Sequence, residues 1–272
     1  MSKQVSTTAL RKYPVRLTGR LVLALLSLGM FASPAQAAGE LTPHTAEYNV
    51  KISIVSGRLR TALRQTEAGY TAEHNIAATG MSRLVARGKI SEASEFASGP
   101  DGLQPVAYRS TDTLSRDKVN ADVQFDWDSN HAFGTVNGED FKTELAGFSH
   151  DRVSIQYQLM HDLLNDDPSD QYRMFEVDKQ KVLNIRMIEA KTVKVRAGKF
   201  EAIGIQHQAE NSSRVTTLWC VEELGFLPVV IEQHRKGKLR VRATLRNYVP
   251  LEVDVRADEP ASTGIDQLDQ SN

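Results

Sequence analysis

Apolar and polar side chains alternate with a period of two along most of this sequence, and this alternation restricts the fold more than any other feature. The clearest example is 119–128, VNADVQFDWD, and a second is 44–54, HTAEYNVKISI. Because successive side chains of a β-strand point to opposite faces, the pattern predicts strands with one apolar face. Turn signals such as Asn137-Gly138 predict hairpins between them. The sequence therefore predicts a mainly β fold: a single large curved antiparallel sheet, or half-open β-barrel.

The stretch 214–234, RVTTLWCVEELGFLPVVIEQH, departs from simple alternation because both of its faces are apolar. It reads as two strands joined by a short acidic turn, and its first strand is expected to be covered on both sides. This strand holds Trp219 and the only cysteine, Cys220. One cysteine cannot form an internal disulfide, and its apolar neighbours favour a buried thiol over a reactive one.

One segment, 149–165, has helical instead of strand periodicity. Apolar residues recur at 153, 157, 160 and 164, and those at 155, 159 and 163 broaden the stripe past half the circumference. Ser149 is predicted to cap the N-terminus, with Asp151 favourably placed relative to the helix dipole, and Asp166-Asp167-Pro168 ends the segment. So broad an apolar face predicts one principal helix, buried against the concave side of the sheet.

Residues 1–37 have the pattern of a cleaved signal peptide. Five basic residues precede the apolar run 21–31, and Ala35-Gln36-Ala37 supplies the small-residue cleavage signal. The apolar run is too short for a transmembrane helix, no cysteine follows it to carry a lipid anchor, and no later stretch is predicted to span a bilayer. We therefore expect an exported, soluble protein with a β domain at 38–250 and an acidic, disordered tail at 251–272.

The charge of the mature chain argues against a nucleic-acid partner. Of 33 basic residues, the five in the leader are removed, which leaves 28 against 34 acidic residues, a net charge of about −6.

Several stretches together resemble a known family. They are GLQP at 102–105, FDW at 125–127, IQYQL at 155–159, GKFEA at 198–202, and LW with LPV within 218–229. In this order they are similar to the bacterial family called domain of unknown function 3108, exported proteins of the cell envelope. The resemblance implies a periplasmic location and no catalytic residues. Its architecture is similar to the half-open barrels of periplasmic lipoprotein carriers, an analogy that does not establish function.

Five side chains are candidates for lining a ligand cavity. If the sheet curves without closing, aromatic residues on its concave face would form an apolar pocket roofed by the helix. The candidates are Trp127, Trp219, Tyr157, Phe125 and His74. The alternative for all five is an ordinary place in the core. A histidine on an apolar strand face is more often a hydrogen-bonded core residue than a ligand contact.

No catalytic, metal or cofactor site is predicted. Ser149, His150 and Asp151 are the residue types of a hydrolytic triad, but consecutive residues cannot converge as nucleophile, base and orienting acid. His150 and His161 share a helix face but lie about 16 Å apart, too far for one metal ion. The alternating acids in 122–128 are expected to be a solvated face instead of a glycosidase pair.

A basic ladder, Arg240, Arg242 and Arg246, has two interpretations. The charges would keep an edge strand from pairing with other chains, or they would meet phosphate headgroups or an acidic partner.

Three functions remain open from sequence. The first is a non-enzymatic periplasmic protein that shields an apolar or lipid-like ligand, with the helix or a nearby loop as a lid. The second is an envelope scaffold that binds a protein partner through strand edges or the acidic tail. The third is a hydrolase, for which the sequence offers no converging polar cleft.

Overall fold

The computed structural model describes residues 39–99, 102–115, 118–176 and 178–252, all within one compact unit. The predicted signal peptide, and the predicted tail beyond residue 252, lie outside these residues. The described chain forms fifteen strands, one α-helix and two short 3₁₀ turns, Gly80–Leu84 and Glu222–Leu224. The elements are β1 His44–Ile52, β2 Val55–Gln65, β3 Gly69–Ala78, β4 Lys89–Gly99, β5 Gly102–Asp112, β6 Val119–Asp126, β7 His131–Val136, β8 Glu139–Glu144, β9 Ser149–His150, α1 Ser154–Leu164, β10 Gln171–Glu176, β11 Lys179–Val195, β12 Gly198–Ala209, β13 Arg214–Val221, β14 Leu227–Arg235 and β15 Lys238–Pro250.

All fifteen strands belong to one sheet, in the order β8-β7-β6-β5-β4-β3-β2-β1-β15-β14-β13-β12-β11-β10-β9. Each half is a meander of antiparallel neighbours, and the two halves join where β1 pairs with β15. The short β9–β10 pair is parallel. The sheet is curved and does not close, so the predicted half-open, mainly antiparallel architecture is confirmed.

Several local predictions are confirmed with small changes. The 44–54 alternation gives β1, but Ile54 lies in the following turn and is 89% exposed. Asn137 and Gly138 both have positive φ, as a tight hairpin between β7 and β8 requires. The stretch 214–234 forms β13 and β14, and all of 216–221 is buried, as expected for a strand covered on both faces.

The edge-strand interpretation of Arg240, Arg242 and Arg246 is wrong. Their strand, β15, lies in the middle of the sheet between β1 and β14. Arg242 pairs with Glu232 at 3.4 Å, and Arg246 pairs with Glu47 at 3.0 Å. Two of these arginines therefore balance acids on neighbouring strands, because cross-strand side chains on one face lie side by side.

Helix α1 begins later than predicted, and its N-terminal group is not Ser149. Ser149 belongs to β9, and its hydroxyl donates to the Gly147 carbonyl. The fully buried Asp151 carboxylate instead accepts the backbone N–H groups of Val153 and Ser154, at 2.7 and 2.9 Å. A short carboxylate side chain just before the helix satisfies N–H groups that have no intrahelical partner.

The core consists of two apolar clusters, and α1 contributes to both. Tyr157 and Met160 belong to the larger cluster, which includes Tyr48, Tyr108 and Phe96. A second set belongs to the smaller cluster: Leu159 and Leu163 of α1 with Ile205, Leu218 and Cys220. The helix is therefore packed on two sides within the curve of the sheet, as its broad apolar stripe predicted.

Candidate ligand-binding groove

Polar side chains hold α1 at both ends. Besides the two backbone N–H groups, Asp151 accepts the hydroxyls of Ser94 on β4 and of Ser154, at 2.6 and 2.8 Å. Burial raises the pKa of this carboxyl, although its hydrogen bonds act in the opposite direction. The four accepted bonds fix the start of the helix against β4.

The middle and end of α1 are tied to β5 and β10. Gln158 accepts the Leu103 N–H at 2.7 Å and donates to Asp162 at 2.6 Å. Asp162 also accepts the Tyr172 hydroxyl, at 2.6 Å. A helix held by buried side chains at several points along its length is a fixed wall, so it does not have the contacts expected of a mobile lid.

A groove of about 330 Å³ runs between α1 and strands β10 to β14. Its apolar lining comes from Ile155, Leu159, Tyr172, Met174, Leu183, Ile185, Ala209, Leu218 and Ile231. Its polar lining comes from Arg152, Gln156, Glu176, Lys181, His207, Ser212, Arg214, Thr216 and Gln233. Apolar and polar residues contribute nine each to this lining, and the volume is near the lower end of the range of about 300–1,000 Å³ for small-molecule sites.

The charged lining of the groove is mainly positive. Arg152, Lys181 and Arg214 contribute three cations to the lining against a single acid, Glu176, which is ion-paired with Lys181, while Arg152 is ion-paired with Glu92 at 3.2 Å outside the lining. Burial lowers the pKa of Lys181, and the positive charges of Arg214 and Arg152 lower it further. All three cations line the same groove, so its charged groups give it a positive potential.

His207 adds a neutral polar group to the same lining. Burial lowers its pKa to about 4, so its imidazole carries no charge near neutral pH.

None of the five side chains proposed from sequence lines this groove. The structure brings His74 and Tyr157 together, with His74 Nε2 3.3 Å from the Tyr157 hydroxyl, and Tyr157 also stacks on Phe96 at 5.7 Å between centroids. Burial lowers the pKa of His74 to about 4. Phe125 stacks on Trp127 at 5.9 Å, and the Trp127 indole donates to the Pro105 carbonyl at 2.6 Å. All four side chains make packing contacts in the larger core cluster.

Trp219 belongs to the same larger core cluster. Its neighbours in sequence, Leu218 and Cys220, pack in the cluster that contains Leu159 and Leu163 of α1, so Trp219 points to the other face of β13. There the Lys191 ammonium lies 3.5 Å from the ring centroid. The ring covers Gly204 closely, since a Cβ at that position would lie 2.9 Å from it.

Part of the groove was visible in the sequence. Ile155 and Leu159 belong to the helical stripe, and Leu218 alternates with Trp219. The groove cations gave no sequence signal, because Arg152, Lys181 and Arg214 are isolated residues on three separate segments.

The triad residue types do not converge. Ser149 donates to Gly147 and Gln180, Asp151 serves the start of α1, and the buried His150 has an Nδ1 atom with no hydrogen-bond partner among the described residues. The acids of 122–128 are engaged locally: Asp122 with Arg109 at 3.2 Å, and Asp126 with Ser129 at 2.7 Å. Within the described ranges there is no group of three or more metal-ligating side chains.

With its open curved sheet, internal helix and groove beside the helix, the protein is a half-open β-barrel with a cavity at one side. A family model described as protein of unknown function (DUF3108) matches residues 45–244. The chain therefore belongs to the DUF3108 family.

Comparison with solved structures gives similarities at low sequence identity. A β-barrel-like protein of domain of unknown function DUF1849 from Brucella abortus is 10% identical, with a TM-score of 0.56 over 79% of this chain and 100% of that chain. A candidate exported protein with a YmcC-like fold from Bacteroides fragilis is also 10% identical, with a TM-score of 0.31 over 78% and 97% of the two chains. The first likeness supports the fold alone. No curated protein matches this chain.

The described residues contain no helix of the length and apolarity needed to cross a bilayer.

Proposed function

We propose that this protein is a non-enzymatic periplasmic carrier that holds an amphipathic, lipid-like molecule in the groove beside α1. The observation that carries the proposal is the groove itself, which combines an apolar floor with a cluster of cations. Its apolar residues would cover a hydrocarbon chain, and burial of that chain would stabilise the complex by about 25 cal/mol per Å² of apolar area. The predicted signal peptide at 1–37 supports the periplasmic location.

The charge of the groove favours an anionic head group. Lys181 is paired with Glu176 and Arg152 with Glu92, which leaves Arg214 as the groove cation without an ion pair among the described residues. A carboxylate or phosphate would accept charge-assisted hydrogen bonds from the arginine guanidinium groups, which present donors in a planar fork. A neutral head group would accept weaker hydrogen bonds and gain no attraction between opposite charges, so we expect a single-chain anionic amphiphile to bind best.

A binding role is also favoured over hydrolysis by what the polar residues do. Ser149, His150 and Asp151 have separate structural partners or none, and among the described residues no serine hydroxyl at this position is hydrogen-bonded to a histidine. The predicted hydrolase thus gains no support from the arrangement of these three residues.

The scaffold alternative has one observation in its favour. Strand β8 ends the sheet and pairs on one side only, with β7. An edge strand offers unpaired backbone groups to a partner strand. Crosslinking in cells that captures one envelope protein through β8, together with an empty groove, would favour this role over the carrier.

The groove is tested by titrating delipidated mature protein with a fluorescent fatty acid. Ile185→Asp places a charge in the apolar lining, whereas Val182→Asp changes the same strand, β11, on its opposite face. We expect Ile185→Asp to weaken binding by at least about tenfold, since a carboxylate is costly to desolvate against a hydrocarbon chain, and Val182→Asp to bind like the wild type. Equal binding by both variants, or none by the folded wild type, contradicts the proposal.

The head-group preference is tested by comparing a fatty acid with the fatty alcohol of the same chain length. Arg214→Gln removes a groove cation, and Arg186→Gln removes an exposed arginine of β11 that hydrogen-bonds Gln206 and does not line the groove. Only Arg214→Gln should weaken fatty-acid binding, by about fivefold if the charge contributes about 1 kcal/mol. Alcohol binding should change little in either variant.

A further inference from the structure

Three connections at one end of the sheet carry both exposed apolar side chains and a concentration of positive charge. They are the β1–β2 turn, the β3–β4 connection with its 3₁₀ turn, and the β14–β15 turn. Antiparallel pairing of β1 with β2 and β15, and of β3 with β2 and β4, places all three at the same end. We call residues 51–58, 77–89 and 234–242 the basic rim.

Hydrogen bonds join these segments into one continuous surface. The Ser53 N–H donates to the Arg240 carbonyl at 3.3 Å, which links the β1–β2 turn to the start of β15. The Ser56 N–H donates to the Ser82 hydroxyl at 2.9 Å, and the Thr79 N–H donates to the Ser56 carbonyl at 2.9 Å. The 3₁₀ turn is therefore anchored to β2, and its apolar side chains are presented next to those of the β1–β2 turn.

The rim holds the most exposed apolar side chains among the described residues. Six of the eleven most exposed large apolar side chains belong to it, including the four highest values. They are Ile54 at 89%, Met81 at 78%, Val85 at 77%, Leu84 at 64%, Leu239 at 48% and Ile52 at 43%. Clustered exposed apolar residues surrounded by polar ones mark interaction sites with proteins or membranes.

The charge of the rim has a single sign. Its three segments contain ten lysines and arginines and no aspartate or glutamate, in a chain whose overall formal charge is −1. Arg58 and Arg242 are ion-paired with Glu47 and Glu232 on the adjoining strands. The other eight cations make no ion pair with any described residue, so their charge is available to a negative partner.

We propose that the basic rim docks on the surface of an anionic lipid bilayer. Aliphatic side chains at the tips of turns would enter the headgroup region, and the surrounding lysines and arginines would contact lipid phosphates, the combination by which peripheral proteins bind such surfaces. An acidic protein would match the charge, but the most exposed apolar side chains stand at the tips of two connections, Ile54 on the β1–β2 turn and Met81 and Val85 on the β3–β4 connection, with lysines and arginines around them, an arrangement that suits insertion between lipid headgroups. The bilayer is therefore the favoured occupant.

The rim also adjoins the groove. Arg214 and Gln233, which line the groove, also line a recess with Arg235, Lys236 and Arg240 of the rim. Docking through the rim would place the mouth of the groove beside the lipid phosphates. The docking proposal rests on the rim alone and does not require that the groove hold a ligand.

Vesicle sedimentation with the mature protein tests the proposal. Vesicles of phosphatidylcholine alone are compared with vesicles that also contain phosphatidylglycerol, at low and high NaCl. Leu239→Asp changes the rim end of β15, and Val249→Asp changes the opposite end of the same strand at a similar exposure, 43%. A second rim variant, Ile54→Asp, checks the position at the tip of the β1–β2 turn, and thermal unfolding verifies that each variant is folded.

The proposal predicts sedimentation with the anionic vesicles only, and loss of binding at high salt because the exposed charges are screened. Leu239→Asp and Ile54→Asp should each lower partitioning by at least about fivefold, since each adds a negative charge and removes an inserted side chain. Val249→Asp should partition like the wild type. Absence of binding to anionic vesicles, equal binding to neutral ones, or equal losses in Val249→Asp and the rim variants would overturn the proposal.

Discussion

The most informative stability prediction concerns Asp151. Its carboxylate accepts the N–H groups at the start of α1, the role that the sequence predicts for Ser149. In Asp151→Ala, two backbone N–H groups and the hydroxyls of Ser94 and Ser154 lose their acceptor. Loss of the helix cap costs about 1 kcal/mol, and buried donors left without a partner cost about 1–3 kcal/mol more. Burial of the carboxylate itself is unfavourable, as its raised pKa shows, and its removal offsets part of this loss. We therefore expect Asp151→Ala to lower the free energy of unfolding by about 2–4 kcal/mol.

Two further variants make this prediction specific. Asp151→Asn keeps an oxygen acceptor for the backbone N–H groups, so it should cost about half as much as the alanine variant. Ser149→Ala removes hydrogen bonds to Gly147 and Gln180 but none at the helix start, and it should cost about 1 kcal/mol.

The assay is urea unfolding of the mature protein, followed by far-ultraviolet circular dichroism and by tryptophan fluorescence. Coincident transitions from the two signals justify a two-state analysis. An unchanged slope of the unfolding free energy against urea concentration shows that the variants expose the same surface on unfolding. A loss below about 0.5 kcal/mol in Asp151→Ala, or a larger loss in Ser149→Ala, would refute the role assigned to this carboxylate.

The same variants predict a pH effect. Because the folded pKa of Asp151 lies above its unfolded value, the native state binds more protons over this interval. This group's contribution to stability is therefore greatest at low pH and decreases as pH rises through the folded pKa. Asp151→Asn should remove that component and leave the rest of the pH profile unchanged.

Three other predictions test the surroundings of the groove and the core. His150 is buried with a pKa of about 4, so the free energy of unfolding decreases as pH falls from about 6.5 toward 4. His150→Phe should reduce the slope of unfolding free energy against pH by about 1 kcal/mol per pH unit, measured by urea unfolding between pH 5 and 6.5. The Cys220 thiol is buried with a raised pKa, so Ellman's reagent should react with it only after unfolding, and fast reaction of the native protein would contradict the packing of β13. Gly204→Ala would place a methyl group against Ile188 and Trp219, so it should cost about 1–3 kcal/mol and shift tryptophan emission, and an unchanged spectrum would contradict that contact.

Local periodicity was enough to predict most of the strands and the helix. In β1, β6 and β13 the alternation of side chains shows which face of the strand each residue lies on. In α1 the spacing of seven apolar residues predicts an apolar stripe wide enough for burial on two sides. The helix start was placed incorrectly because Ser149 and Asp151 are both good capping residues. Only the tertiary contacts show that Ser149 is drawn into pairing with β10.

The sheet order could not be predicted in the same way. The pairing of β1 with β15 joins strands almost 200 residues apart, and no local signal in either strand identifies its partner. This pairing places Arg240, Arg242 and Arg246 in the centre of the sheet instead of at its edge.

The candidate site shows the same limit. Alternation assigns Trp219 and Leu218 to opposite faces of β13, but it does not say which face meets the helix. The sequence predicts aromatic residues as the lining, whereas the apolar part of the groove is mainly aliphatic, and four of the five predicted side chains pack against other aromatic rings. The basic rim consists of connections whose basic and apolar composition can be read from the sequence. That these connections lie next to one another depends on the direction of the strands, which the sequence does not show.

Native mass spectrometry of the protein, isolated from cells without detergent, tests the central proposal most directly. If the groove binds an amphiphile as proposed, the wild type and Val182→Asp should carry an added mass that disappears on delipidation. Ile185→Asp should have the mass of the bare chain, because its added carboxylate opposes the hydrocarbon chain. If all three proteins have the bare mass, or if Ile185→Asp retains the ligand, the groove beside α1 is not the binding site.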